Sequence, residues 1–165
     1  MKNKHILSVL VNNSSGALSH VAGLFTRRGY NIDSLSVAET EESNRSIITL
    51  VVNEDNKMVA QIRNQLYKLM DVIFIEDLTD VESLERELVL VTIKAHRDNR
   101  EEILSLIDVF KATIVDMTDN AVMIEMSGNP RRMQTFIQAI KEYEIIKLAR
   151  TGTISLSFPS ADKNG

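Results

Sequence analysis

A chain of 165 residues, 44% hydrophobic and 25% charged, suits one soluble domain or two small ones of about 80 residues each. Its net charge of −4 and its 5% aromatic content argue against nucleic acid or an anionic membrane surface as the main partner. There is no cysteine, and so no disulfide, thiol nucleophile or thiolate metal site. No apolar run nears the roughly 20 residues that span a bilayer. Met1 to His5 leads straight into a strand pattern rather than an apolar signal core, so cytoplasmic residence is expected.

The first half reads as strand 4–12, helix 16–28, strands 32–40 and 45–53, helix 55–70 and strand 72–78. In the first helix Leu18, Val21, Ala22 and Phe25 are spaced as one apolar stripe. Asn13, Ser14 and Ser15 are of the types that cap a helix start. Arg27 and Arg28 suit its last turn, and Gly29 follows where a left-handed cap is expected. A glycine at position 16, just after an apolar strand, lets a small ligand approach backbone N–H groups at a positive helix end, where a carboxylate could dock. Many α/β proteins carry the same turn with no ligand, and the turn alone does not decide between the two. The second helix shows Val59, Ile62, Leu66, Leu69 and Met70 on one face. The polar hairpin tip 40–45 precedes Ile47 to Val52, a nearly continuous apolar run expected of a strand covered on both sides.

The polar segment 79–85 reads as a linker, after which the order recurs: strand 86–96, helix 99–110, strands 111–118 and 121–127, helix 130–142 and strand 144–150. Asp98 with Glu101 three residues on suggests a capping box, and Asn129 followed by Pro130 a second helix start. The stripes are Ile103, Leu106, Ile107 and Phe110, then Met133, Phe136, Ile137 and Ile140. A short ninth strand, 153–158, precedes a polar tail, 159–165, expected to be disordered. Each half is thus βαββαβ, and the fold class is α+β: two ferredoxin-like domains, 1–78 and 86–158, with antiparallel sheets and helices on one face. Sheets of this size leave open edges, which side-by-side pairing in a homodimer would remove.

The chemistry of catalysis is missing. His5, His20 and His96 are far apart in sequence and are read as exposed or edge polar groups, and no metal site is expected. No HExxH, GxSxG, GxGxxG or GxxxxGK[ST] pattern occurs. The acidic groups Glu39, Glu41, Glu42 and Asp77, Asp80, Glu82 lie in turns, as solvated faces do. An RNA-recognition module shares this element order but needs aromatic residues on its central strands, and Ile47 to Val52 has none.

Asn13-Ser14-Ser15-Gly16-Ala17-Leu18 and Leu24-Phe25-Thr26-Arg27-Arg28-Gly29-Tyr30-Asn31-Ile32-Asp33-Ser34-Leu35 closely resemble the N-terminal ACT domain of the acetolactate synthase small subunit. Arg86 to Val91 resembles the start of that family's second domain, and Ala149-Arg150-Thr151-Gly152 its C-terminal signature. The resemblance implies a regulatory, non-catalytic subunit. It would activate a large catalytic subunit that carries thiamine diphosphate, Mg and FAD, and confer feedback inhibition by valine or another branched-chain amino acid. It would hold no cofactor itself. The effector would lie between two ACT domains, with Asn13 and the backbone of Gly16, Ala17 and Leu18 from one chain and Asn31 and Ile32 from its neighbour. Taken on their own residues, Asn13 is equally a helix cap and Asn31 a turn residue. Ser14 stands where the family usually has an acidic residue, and Ser157-Phe158-Pro159 where it has a more basic ending. A stand-alone ACT-domain sensor acting on a different enzyme is the alternative.

Overall fold

Leu7, Val9 and Val11 leave β1 (Asn3–Asn12) on the same side, because successive strand residues face opposite ways, and all three are buried. The computed structural model describes residues 1–161 of the chain. They fall into two units, residues 1–84 with 153–161, and residues 85–152. The expected tail 159–165 lies in part, from residue 162, outside the described residues.

The first unit continues with α1 (Ala17–Arg28), β2 (Ser34–Glu39), β3 (Arg45–Glu54), α2 (Asn56–Leu66) and β4 (Val72–Asp77). Its sheet has the order β2-β3-β1-β4 with every neighbour antiparallel. Each helix therefore links strands that are not adjacent, the split βαβ arrangement. Leu7, Val9 and Val11 pack with Ile48, Leu50 and Val52 of β3 against Val21, Leu24 and Phe25 of α1 and Val59, Ile62 and Leu66 of α2. The other face of β3 is covered as well: Thr49 and Val51 are buried, Val51 in a small cluster with Ile6 and Leu78. That satisfies the expectation from the apolar run 47–52.

The second unit repeats the plan with β5 (Ser83–Lys94), α3 (Arg100–Val109), β6 (Thr113–Met117), β7 (Ala121–Gly128), α4 (Pro130–Ile140) and β8 (Ile145–Arg150). Its strand path is β6-β7-β5-β8, again antiparallel. Val89, Val91, Ile93, Val122, Ile124 and Met126 meet Ile103, Ile107, Met133, Phe136 and Ile140 in its core. Phe110 stands edge-on to Phe136 at 5.3 Å between ring centres. β5 already begins at Ser83, inside the stretch read as linker. β9 (Ile154–Ser157) groups with the first unit, where the Thr153 N–H donates to Ser34 Oγ at 3.1 Å and the Phe158 N–H to the Glu82 carbonyl at 2.9 Å.

Several local expectations need correction. The buried stripe of α1 is Ala17, Val21, Leu24 and Phe25, and Leu18 is 42% exposed. The stripe has turned by one residue because Ala17, not Leu18, faces the sheet. α2 stops at Leu66, where Lys68 and Leu69 N–H groups turn back to Gln65 and Leu66 in tighter bonds, and Met70 is left 96% exposed. Asp98 does not cap α3. Asn99 precedes that helix, and its Oδ1 accepts from the His96 N–H at 2.8 Å instead of a helical amide. Asn129 does cap α4, accepting from the Arg132 N–H at 2.8 Å with Pro130 in the first turn. His5 is buried rather than exposed, with Nδ1 3.2 Å from Thr79 Oγ1.

Candidate functional site

The loop from β1 to α1 turns over Ser14–Ala17, where the Ala17 N–H donates to the Ser14 carbonyl at 3.2 Å. Gly16 sits third in this turn at φ 97°, ψ −3°, a combination that a type II turn requires and that residues with a β-carbon rarely adopt. Its carbonyl accepts from the His20 N–H at 2.8 Å and so starts the helix. No side chain caps α1, contrary to the expectation for Asn13, Ser14 and Ser15. With Ala17 committed to Ser14, the second and third helical N–H groups, those of Leu18 and Ser19, have no intrahelical acceptor and face the positive end of the helix.

The three polar residues are used elsewhere. Asn13 Nδ2 donates to Glu39 Oε1 and to the Ser43 carbonyl, both at 3.0 Å, so both amide protons tie the loop to the β2–β3 hairpin. Its Oδ1 then remains an acceptor. Ser14 Oγ donates to Asp71 Oδ1 at 2.6 Å, and His20 Nδ1 lies 2.7 Å from Asp71 Oδ2. Ser14 first, and His20 second, hold the Asp71 carboxyl below its usual range. The backbone adds Asn12 N–H to the Asp71 carbonyl and Asn13 N–H to the Asn44 carbonyl, each at 2.8 Å. The loop is thus pinned on both sides while its outer rim stays exposed.

Asn13, Gly16, Ala17 and Leu18 therefore come together, although Ala17 contributes a buried side chain and Leu18 an exposed one. Asn31 and Ile32 do not join them. They follow the far end of α1, where Gly29 at φ 67° closes the helix and Tyr30 packs edge-on against Phe25 at 5.8 Å. Ile32 leans on the core, and exposed Asn31 reaches Asp33 Oδ1 at 3.4 Å. The 12 residues of α1 separate the two groups by about 18 Å along the helix axis. One amino-acid ligand cannot touch both groups of one chain.

The pairing of His20 with Asp71 is not legible in the sequence. They are 51 residues apart, and no local pattern joins them. In the second unit Arg100, at the start of α3, lies at the matching loop, and its Nη2 donates to the Thr118 and Asp119 carbonyls at 2.8 Å each. Among the described residues there is no group of three or more His, Asp or Glu side chains placed to hold a metal ion, and no helix long and apolar enough to cross a membrane.

Residues 7–74 match the model of the AHAS small subunit-like ACT domain, and residues 86–158 that of the small subunit of acetolactate synthase. A probable acetolactate synthase small subunit from Archaeoglobus fulgidus is 42% identical over 153 residues, 93% of this chain and 96% of that one. The acetolactate synthase isozyme 3 small subunit of Escherichia coli is 39% identical over 155 residues, 93% of this chain and 95% of that one. The crystal structure of the Thermotoga maritima acetolactate synthase small subunit superposes with a TM-score of 0.87 at 31% identity, over 94% of this chain and 98% of that one. With two ACT-type units in tandem and both halves matched, the chain belongs to the acetolactate synthase small subunit family.

Proposed function

We propose that this chain is the regulatory subunit of acetolactate synthase, activating a thiamine-diphosphate-dependent catalytic subunit and making it sensitive to feedback inhibition by valine. The observation that carries the reading is the division of the candidate site by α1: half lies at the helix start and half beyond its end. That division suits an effector bound between two copies of the chain, which pair through the open edges of their first sheets.

In that arrangement the Leu18 and Ser19 N–H groups take the α-carboxylate, and Asn13 Oδ1 takes the ammonium. The exposed Leu18 side chain and the Ile32 of the neighbouring chain receive the isopropyl group. Asn31 of that neighbour closes the rim. The effector shifts the complex only by binding one arrangement of subunits more tightly than another, on a scale of about 1–3 kcal/mol. Thiamine diphosphate, Mg and FAD belong to the catalytic partner, and this chain binds none of them.

Reconstitution tests the reading. The chain is mixed with an acetolactate synthase catalytic subunit, and acetolactate formation is measured with valine, leucine and isoleucine in turn. Stimulation by the chain and its reversal by valine are expected. No stimulation would assign it to another enzyme.

A further inference from the structure

We propose that His20 is a direct effector ligand: its Nε2 edge meets the α-carboxylate of the bound amino acid, and Asp71 and Ser14 hold the ring there. This inference rests on reading the Gly16 turn as the effector site. The ring lies over that turn. His20 Cε1 and Nε2 are both 3.8 Å from the point a β-carbon on Gly16 would occupy. Its other edge is anchored, with Nδ1 2.7 Å from Asp71 Oδ2, and Asp71 Oδ1 accepts from Ser14 Oγ at 2.6 Å. The anchor is shielded and the free edge is not: the His20 side chain is 61% exposed and that of Asp71 16%.

The anchor decides the chemistry of the free edge. A carboxylate accepts only, so Nδ1 carries the proton, and Nε2 is bare in the neutral ring and an N–H donor in the charged one. A ligand carboxylate gathered by the Leu18 and Ser19 amides comes close to an ionised Asp71. Charging the imidazole turns that repulsion into a bridge, Asp71 on one nitrogen and the ligand on the other, each a charge-assisted bond. The surrounding charges leave this task to His20. The loop residues Asn13, Ser14 and Ser15 are neutral, and α1 has no other charged side chain before Arg27. The turn before β4 contributes Asp71, and the hairpin contributes Glu39, already bonded by Asn13 Nδ2.

The consequence is that effector binding takes up a proton and tightens as pH falls. The test is calorimetric titration of the full chain with valine, leucine and isoleucine at about pH 6, 7 and 8, in buffers of different ionisation enthalpy. Wild type should bind more tightly at the acid end and take up a proton. His20→Ala should bind about tenfold more weakly, about 1.4 kcal/mol, with no pH dependence and an unchanged circular dichroism spectrum. Asp71→Asn should also bind more weakly than wild type, because the ring loses the carboxylate that anchors its Nδ1 edge. Wild-type binding without proton uptake, or equal binding by His20→Ala, overturns the role of His20 and leaves the regulatory reading standing. Failure of wild type to bind any of the three amino acids overturns both.

Discussion

Gly29 and Lys111 hold the same place in the two halves of the chain. Each follows a helix in the left-handed region, at φ 67° and 51°, and each is followed by the same bond pattern. The Gly29 N–H turns to Thr26 and that of Tyr30 to Phe25. The Lys111 N–H turns to Asp108 and that of Ala112 to Ile107. A side chain in that region costs about 1 kcal/mol or more. Lys111→Gly is expected to raise the stability of the second unit by about 1 kcal/mol, read as a higher urea midpoint. Gly29→Lys should lower that of the first by a similar amount. A neutral Lys111→Gly would mean that the helix end relaxes in solution.

Gly16 offers a separation of backbone strain from ligand contact. A β-carbon there meets only the His20 ring at 3.8 Å, an ordinary contact, so Gly16→Ala should cost about 1–2 kcal/mol of left-handed strain and leave part of the valine response. Gly16→Asp adds a negative charge beside the proposed carboxylate position and should abolish the response. Valine inhibition of the reconstituted complex, measured beside thermal unfolding of each variant, distinguishes the two effects. Full inhibition in Gly16→Asp would rule the turn out.

The proposed division of the effector site between two chains predicts complementation. Gly16→Asp and Asn31→Ala should each abolish valine binding as homodimers. When the two variants are unfolded together and refolded, half of the dimers are mixed. Each mixed dimer has one doubly damaged site and one intact, so about a quarter of all sites recover in a two-fold arrangement. Calorimetric stoichiometry reads this directly. No recovery would place both residues in one site of one chain.

Asp71 predicts an acid limb of stability. Its folded-state pKa lies below its ordinary value of 3.8, chiefly through Ser14 and then His20. The stability it contributes is therefore complete above that value and is lost as pH falls through the lower, folded-state value. Asp71→Asn should be less stable than wild type at neutral pH, with the difference shrinking below about pH 4. Urea titrations at several pH values check it. A difference independent of pH would show that the carboxylate charge is irrelevant to the loop.

Sequence alone determined the element order, the duplication and the left-handed glycine turn that opens α1. Hydrophobic spacing is a local property, and strand, helix and hairpin signals lie within a few residues of one another. Val59, Ile62 and Leu66, and likewise Met133, Phe136 and Ile140, occupy the buried faces their spacing announced. Asn129 with Pro130, and Gly29, mark helix ends as read. Tertiary structure decided what depends on partners remote in the chain. Spacing places a stripe only to within a residue, and packing on the sheet chose Ala17 over Leu18, which leaves Leu18 exposed. Ser14 looked like a helix cap, yet Asp71, 57 residues on, competes for its hydroxyl, and the same carboxylate turns His20 toward Gly16. The length of α1, legible from the start, acquires its meaning only in the fold: it sets Asn31 too far from Gly16 for one small ligand to touch both within one chain.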